Sequence, residues 1–391
     1  MLIERVEVVR FRNLEGTLRF GPGLNIFYGD NAQGKSNWLE AIYVLANTKS
    51  FRTSQLRDAV GFDGENAIVR GNVQRGAICR QLQVFFTESS KELYLNGKRQ
   101  SINNYLGMLD AFVFSMEGME IVRGEPSERR RFIDRGIVTI TPSYLGTLAD
   151  YNRVVKQKNR LLADASENGS PERFREQIEA WNEQLVDLGA AIHQARADYV
   201  ERLEAALANK DSGRALFGAE RVSVRYRSQL EGKGDLGNYA DVFRERLGIR
   251  MLAEISAGHS LIGPHRDELE ILVEGREIAR FGSAGQQRSA LFLLDLAQVH
   301  IYNSVYEESP VFLIDDIDAE LDRSRIEAVL SELEGRVQTL VSTSRRGIAD
   351  RYRNRANLFY VQAGRVSNDC GEEGLQTVEE AEEESAVVFE D

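Results

Sequence analysis

The sequence predicts an α/β fold, a mixed sheet with helices, carrying an inserted α-helical arm and a disordered acidic C-terminal tail. Three observations predict it. Short apolar strands alternate with helical patterns toward both ends of the chain. A long stretch of helical periodicity, 144 to 208, interrupts them. The last 21 residues, Gly371 to Asp391, hold nine acidic residues and no Lys or Arg, a composition that cannot bury a core.

The elements follow in order. Ile3, Val6, Val8 and Phe11 nearly alternate, and Leu24 to Tyr28 is a short apolar run ending at Gly29, so residues 2 to 28 read as strands. A helix is expected from about Gly34 to Ala46, with Trp38, Ile42 and Leu45 on one face. Residues 67 to 95 read as antiparallel β, and Asn96-Gly97 is a hairpin turn. Phe112-Val113-Phe114 is a further strand. Tyr144, Leu148, Tyr151, Val155 and Leu162 recur at helical spacing. After a turn at Ser166 to Pro171, the positions Ile178, Trp181, Leu185, Leu188, Ile192, Ala195 and Tyr199 step by three and four. This is a helical hairpin with a heptad-like seam. It suits two helices packed on a core or a projecting coiled coil. The second helix, roughly 35 residues at 1.5 Å each, makes a short arm of about 50 Å. Strands are expected again at Val222 to Tyr226 and Leu269 to Val273, with a turn at Glu274-Gly275-Arg276. A helix runs from Ser283 to about Tyr306, and Val311 to Ile314 is a fully apolar strand stopped by two aspartates. A helix from about Arg323 and strands at Val337 to Val341 and Leu358 to Val361 complete the pattern.

Composition excludes several classes. No apolar run approaches the ~18 residues of a membrane span. The opening MLIERVEVVRF has no signal-peptide h-region. Cys79 and Cys370 give neither a disulfide framework nor a metal spacing. The net charge is −12. Without the nine tail acids, 52 acidic residues face 49 basic ones, a balance of −3. The expectation is a cytoplasmic protein of two or three structural units, and not a basic protein that coats nucleic acid.

Gly29, Asp30, Asn31, Ala32, Gln33, Gly34, Lys35 and Ser36 fit G-x-x-x-x-G-K-[ST], with Asn37 just inside the helix. The motif follows a predicted strand and opens a predicted helix, the context it needs. Its backbone N–H groups and the helix N-terminus attract phosphate. Lys35 should reach the β/γ-phosphates and the Ser36 hydroxyl should bind Mg2+. The second half of such a site is a buried strand ending in acids, here Val311 to Asp316. Paired acids at a strand end are often solvated turn residues, but the first motif favours a site. Asp315 is assigned to Mg2+ and Asp316 to the attacking water. A third element, Phe281 to Arg288, contains Ser283, Gly285 and Gln286 at a helix start about 25 residues before the acids. The plainer reading is a helix capped by Ser283. Glu320-Leu321-Asp322 follows the acids. The GTPase motif N-K-x-D is absent: Asn209-Lys210-Asp211-Ser212 fails at its last place.

In this order the motifs resemble the ABC/SMC-type ATPases, and among them the RecF family of bacterial DNA repair and recombination ATPases. The likeness runs through Phe11-Arg12-Asn13, GDNAQGKSN (Gly29 to Asn37) and NTKSFRTS (Asn47 to Ser54). It continues in FSMEGMEIVRGEPSERRRFID (Phe114 to Asp134), LIGPHRDELEI (Leu261 to Ile271) and FGSAGQQRS (Phe281 to Ser289). It spans about residues 1 to 366. Met116 stands where the family often has proline, and Ala284 where it often has glutamine. Ser342-Thr343-Ser344 occupies the place of the histidine in ABC transporters, as RecF-like sequences also do; Thr343 is the candidate γ-phosphate sensor.

The resemblance implies an ABC-type P-loop ATPase head. Lobe I would comprise 1–116 and a return at 309–366. Lobe II would comprise 117–308, with the arm at about 144–208 and the signature motif at 281–288. The tail, 367–391, lies outside. ATP and Mg2+ are the expected cofactors. The signature would meet the γ-phosphate held by a second subunit, and Asp322 would sit in the D-loop at that interface. ATP would thus close a homodimer, with weak DNA-dependent ATPase activity. The implied partners are double-stranded DNA, its junctions with single strands near gaps, and RecR- and RecO-like proteins that help load recombinase. The implied setting is DNA replication, repair and the SOS response, in the nucleoid and with no membrane. Two rival readings stand beside this one. A scaffold could bind ATP without hydrolysing it, since Asp316 replaces the commoner glutamate. A nucleotide-binding subunit of an ABC-type complex such as a transporter would need a membrane partner and gives the arm no place.

Candidate DNA contacts are Arg129, Arg130 and Arg131, with Arg123 and Arg135 nearby, and Lys156, Lys158 and Arg160, with Arg153, on the first arm helix. Charge runs on helices are usually solvated faces; the resemblance favours phosphate contacts without base reading. His259 and His265 lack a ligand cluster and read as structural or interface residues.

Overall fold

The structure, a computed structural model, describes residues 1–62, 64–168, 171–208 and 221–368. The acidic tail from 369 onward and the Asn209 to Ser212 string lie outside these residues.

The chain opens with β1 (Leu2–Phe11), β2 (Leu14–Arg19), β3 (Leu24–Tyr28) and α1 (Lys35–Asn47). β4 (Asn66–Arg75), β5 (Ile78–Thr87), β6 (Lys91–Leu95) and β7 (Lys98–Gln100) follow, then α2 (Ile102–Tyr105) and β8 (Ala111–Phe114). The middle carries α3 (Met119–Arg123), α4 (Pro126–Ile140), α5 (Tyr144–Asn168), α6 (Pro171–Ala208), β9 (Val222–Arg227) and α7 (Tyr239–Ala257). After β10 (Glu268–Val273), β11 (Arg276–Glu277) and α8 (Ile278–Phe281) comes α9 (Ala284–Tyr306). The last stretch is β12 (Val311–Ile314), α10 (Ile317–Glu320), α11 (Arg323–Leu333), β13 (Thr339–Thr343), α12 (Arg346–Tyr352), β14 (Ala356–Gln362) and β15 (Arg365–Asn368).

Two compact units result. One holds Met1–Met119 and the chain from Arg288; the other holds the described residues between Glu120 and Gln287. The compact units divide at 287/288; the lobe boundary was expected at 308. The cause is aromatic packing along α9. Phe292 meets Phe114 edge-on at 5.2 Å and Phe312 at 6.1 Å, and Tyr302 meets Phe112 at 6.4 Å. That helix is apolar enough to belong with the strands of the first unit.

The first unit has two six-stranded sheets. One is antiparallel, in the order β2-β1-β4-β5-β6-β7. In β4, Ala67, Val69 and Val73 are buried and alternate with half-exposed residues, the period of a sheet with one face on the core. Asn96 and Gly97 both take positive φ, 49° and 73°, so the expected hairpin turn is type I′. The other sheet runs β15-β14-β3-β13-β12-β8, parallel except at β15. Its central strands β3, β12 and β13 are buried at every residue, as parallel strands covered on both faces must be. Helix α1 packs against strands of both sheets. Trp38 through Ala46 are all buried, as a helix apolar on nearly every side requires; Glu40 is the charged exception.

In the second unit the expected helical hairpin forms, but α5 continues through Ser166 to Asn168, where a turn was expected. The projecting coiled coil is overturned. Leu162 and Ala165 of α5 and Ile178 of α6 share a buried cluster with Met251 and Ile255 of α7, so the hairpin is packed along a third helix. Neither α7 nor α4 was anticipated. The signal for α7 was present: Tyr239, Phe243, Leu247, Met251 and Ile255 recur every four residues and are buried. Beside these helices lies a small sheet, β11-β10-β9.

Candidate nucleotide-binding site

The site stands at the carboxyl edge of the parallel sheet. Ile314 pairs with Val341, and Val341 with Ile26. The acids after β12, the hydroxyls closing β13 and the glycine after β3 therefore leave the sheet side by side. Such edges are where open α/β sheets bind ligands.

The loop after β3 wraps tightly. Gly29 has φ 145°, and a Cβ there would stand 2.4 Å from the Val361 carbonyl oxygen, so only glycine fits. The loop opens onto a cavity of about 500 Å³, walled in part by Asn31, Gly34, Lys35, Ser36, Asn37 and Asp316. Lys35 is buried, and its Nζ donates to the carbonyls of Gly29 at 2.9 Å and Asp30 at 2.7 Å. Burial lowers its pKa, while Asp316, Asp318, Asp315 and Asp30 pull it back up. The ammonium is thus held within the loop among carboxylates, where a phosphate could replace the carbonyls as its partner.

Ser342 organises the acid pair. Its Oγ donates to Asp315 Oδ1 at 2.6 Å and accepts from the Asp316 amide at 2.7 Å. Asp316 sits in the left-handed region, φ 50° and ψ 52°, a conformation that costs a non-glycine residue about 1 kcal/mol or more. Burial raises the Asp316 pKa, Asp318 and Asp315 raise it further, and Lys35 opposes them. Asp315 and Ser36 offer a carboxylate and a hydroxyl, oxygen donors that suit Mg2+, which keeps water and phosphate oxygens in its other positions. The residues present fit that ion.

Asp318 was missed by the motif reading. It accepts from Thr343 Oγ1 at 2.6 Å, Ser344 N at 3.0 Å and Ser344 Oγ at 2.5 Å. Burial acts to raise its pKa, but these hydrogen bonds outweigh it and hold the group below the usual carboxylate value. The signal was the third aspartate in the run Asp315-Asp316-Ile317-Asp318. Thr343, the residue expected to sense the γ-phosphate, is fully buried with its hydroxyl on Asp318.

A second tier braces the loop. Glu40 of α1 is fully buried and accepts from Arg12 at 2.5 and 2.8 Å and from Ser50 Oγ at 2.5 Å. Arg52 donates to Asn37 Oδ1 at 2.7 Å, and Asn37 donates to Asn13 at 2.6 Å. Two separate sequence stretches, around 12 and around 52, thus meet on one helix. Gln33 is tied elsewhere: its Oε1 accepts from the Ala363 amide at 2.8 Å and its carbonyl from Gly364 at 2.7 Å. The Gln33 side chain faces the β14–β15 hairpin, leaving its backbone N–H for the loop.

At the start of α9, Ser283 and Gln286 form a reciprocal capping box. Gln286 Oε1 accepts from the Ser283 amide at 2.7 Å, and Ser283 Oγ accepts from the Gln286 amide at 3.2 Å. The helix-cap reading of Ser283 is therefore realised, and the hydroxyl keeps its own proton to donate. A Cβ on Gly285 would have nothing within the unit nearer than 4.0 Å. Asp322 caps α11, accepting from Arg325 N at 3.0 Å and Ser324 Oγ at 2.7 Å. The Arg325 amide, then the Ser324 hydroxyl, lower its pKa.

The candidate DNA contacts divide. Lys158 is a correction: it is fully buried, with Nζ 2.6 Å from Glu254, itself buried. Residues two apart on a helix lie about 200° apart, so Lys158 faces the core while Lys156 and Arg160 face solvent. Arg129 is largely buried against Glu268 at 2.7 Å, and Arg130 donates to the Asp267 carbonyl at 2.9 Å. Arg131 is exposed beside Glu128. His265 hydrogen-bonds Tyr151 OH through Nδ1 at 2.7 Å, and His259 is exposed.

Comparison with known proteins shows the family. The family model described as RecF/RecN/SMC N terminal domain matches residues 2–367. The DNA replication and repair protein RecF of Lactobacillus acidophilus is 32% identical over 373 residues, 94% of this chain and 99% of that protein. The RecF of Bacillus cereus strain G9842 is 34% identical over 377 residues, 95% of this chain and 99% of that protein. A solved structure described as the recombination mediator protein RecF-ATPrS in the RecFOR pathway superimposes with TM-score 0.83 at 30% identity, covering 94% of this chain and 98% of that one. An Smc head bound to the C-winged helix domain of ScpA shares the fold at TM-score 0.54 and 17% identity, covering 98% of this chain and 100% of that one. On these matches along nearly its whole length, the chain belongs to the RecF family within the RecF/RecN/SMC N-terminal-domain proteins.

Proposed function

We propose that this chain is an ATP-binding protein of DNA replication and repair, acting as a recombination mediator. The observation that carries the reading is the meeting of Lys35, Ser36, Asp315 and Asp316 at one sheet edge beside a cavity of about 500 Å³. In this reading Lys35 and the loop amides bind the phosphates of ATP. Ser36 and Asp315 hold Mg2+, which when bound neutralises charge building on the phosphates. Asp316 orients the attacking water and takes its proton. An aspartate there is a methylene shorter than glutamate, which favours slow turnover and a switch over a pump. Thr343 fixes Asp318, and Asp318 adds to the field that Asp316 leads around Lys35.

Ser283, Gly285 and Gln286 of one protomer complete the site of a second, and Asp322 lines the same interface. ATP then closes a homodimer on double-stranded DNA near gaps. Arg131, Lys156 and Arg160 supply phosphate contacts, and RecR- and RecO-like proteins act with the dimer to load recombinase in the nucleoid. Light scattering on size-exclusion columns, with and without ATP, Mg2+ and duplex DNA, tests this. The expected result is a dimer that needs ATP and a DNA complex that needs the dimer. A monomer under every condition would overturn the reading.

A further inference from the structure

Exposed large apolar side chains are few among the described residues, and two of them bear on the proposed site, one in space and one in sequence. Phe62 lies fully exposed on the lip of the nucleotide cavity. Phe281 is 59% exposed, two residues before the signature serine. Its exposure is built in. Ile278, at the other end of α8, is buried, and its carbonyl accepts from Gly282 N at 2.9 Å and Gln287 Nε2 at 3.2 Å. These bonds fix the short helix with Phe281 pointing away from its own core. The Arg280 guanidinium lies 5.2 Å from the Phe281 ring centroid, a cation–π distance. The result is a positively charged aromatic knob. The lip bearing Phe62 also carries Asp58, whose carboxylate is half exposed. Thr53 Oγ1 donates to one oxygen of that carboxylate at 2.5 Å, and Arg57 only grazes the other at 3.9 Å, which leaves its negative charge uncompensated by a close cation. A cation on an aromatic knob thus has its complement in a carboxylate beside an aromatic lip.

We propose that Arg280 and Phe281 of one protomer dock on the lip of a second copy's nucleotide cavity, against the partner's Phe62 and the partner's Asp58. The inference rests on the proposed ATP-closed dimer and adds a contact to it. Two-fold symmetry makes the contact twice. Aromatic rings meeting at an interface centre are its usual anchors. Because the knob and the signature serine lie three residues or fewer apart, a protomer that offers Ser283 to the partner's phosphate carries the knob to the same cavity. The two contacts then form together, and dimer closure reports on both.

The test uses the full chain with Cys79→Ser and Cys370→Ser. One population carries Phe281→Cys and another Phe62→Cys, mixed in the presence of ATP, Mg2+ and a short bis-maleimide linker. The expected result is a covalent dimer that needs ATP and appears in the mixture but not in either population alone. In parallel, Phe281→Ala should bind ATP as a monomer like the parent and dimerise at least about tenfold more weakly. An ATP dimer seen by light scattering but without the cross-link, or Phe281→Ala dimerising like the parent, overturns this contact and leaves the dimer standing. A parent that stays monomeric with ATP overturns the dimer and the contact together.

Discussion

The Thr343 hydroxyl donates to Asp318 Oδ1 at 2.6 Å and so ties the end of β13 to the acids behind β12. Replacing Thr343 by Val removes that donor from a buried carboxylate. A hydrogen bond to a charged group contributes about 1.5–3 kcal/mol, and chemical denaturation should find a loss of that size. ATP hydrolysis should fall more than ATP affinity, because the change reaches the acids before the phosphates. Equal falls in both would put Thr343 in direct contact with nucleotide.

Lys35→Met should abolish ATP binding, since the cation facing the β/γ-phosphates is lost. The Gly29 and Asp30 carbonyls that it served belong to loop residues that are half-buried and exposed, and can turn to water. Folding stability should therefore change by less than about 1 kcal/mol. Because the Lys35 pKa is lowered in the free protein and phosphate favours the charged form, binding at alkaline pH should take up protons. Calorimetry in buffers of different ionisation enthalpy measures this; no uptake would place the phosphates away from Lys35.

Asp316→Asn should keep ATP and trap the dimer, while Asp315→Asn should weaken Mg2+-dependent binding. The pKa of Asp316 is raised, first by burial and then by Asp318 and Asp315. As the base it must be deprotonated, so turnover should rise with pH through that raised value. Turnover should therefore fall on acidification, and that acid limb should vanish in Asp316→Asn. Identical behaviour of the two variants would merge their roles.

Charge reversal of Arg131, Lys156 and Arg160 to Glu should weaken duplex binding about equally for all sequences. Each lost phosphate contact should flatten the log–log salt slope by roughly 0.9. Lys158 must be left alone in that experiment. Lys158→Ala strands the Glu254 charge in the core and should cost about 3–5 kcal/mol. Lys158→Met with Glu254→Gln should recover much of it, because the amide oxygen can still accept from Leu261 N. Wild-type DNA affinity and salt slope in the triple variant would move the interface elsewhere.

Stability should fall on mild acidification. Burial is the main cause lowering the pKa of both His193 and His265 to about 4, from an ordinary 6.5. Below 6.5 the unfolded chain takes up protons that the folded histidines refuse. The stabilisation is whole above pH 6.5 and drains away as pH falls toward 4. His193→Gln should shrink the loss of melting temperature between pH 7 and 5; an unchanged loss would assign it to other groups.

The nucleotide loop and the acid pair were legible because each is a local pattern whose chemistry stays within a few residues. What was lost depended on partners distant in sequence. The strand expected at Val337 to Val341 runs from Thr339 to Thr343, because Ser342 and Thr343 bury their hydroxyls on Asp315 and Asp318, and hydropathy cannot see such bonds. Lys158 was misplaced because a cluster was read as composition and not by angle around the helix. Helix α9 from Arg288 onward clusters with the first compact unit, because its aromatic residues match strands nearly two hundred positions earlier.

Among the described strands β3 pairs with β13 and β14, and Gln33 is fastened to Ala363 and Gly364. A ribosome makes the phosphate loop almost at once and its supports almost last. During synthesis the loop waits, without the walls that shape it, for more than three hundred residues. A message cut short by a stop codon ahead of Gly364 should therefore yield no half-working nucleotide binder, and any chain that captures ATP has already been translated past that point.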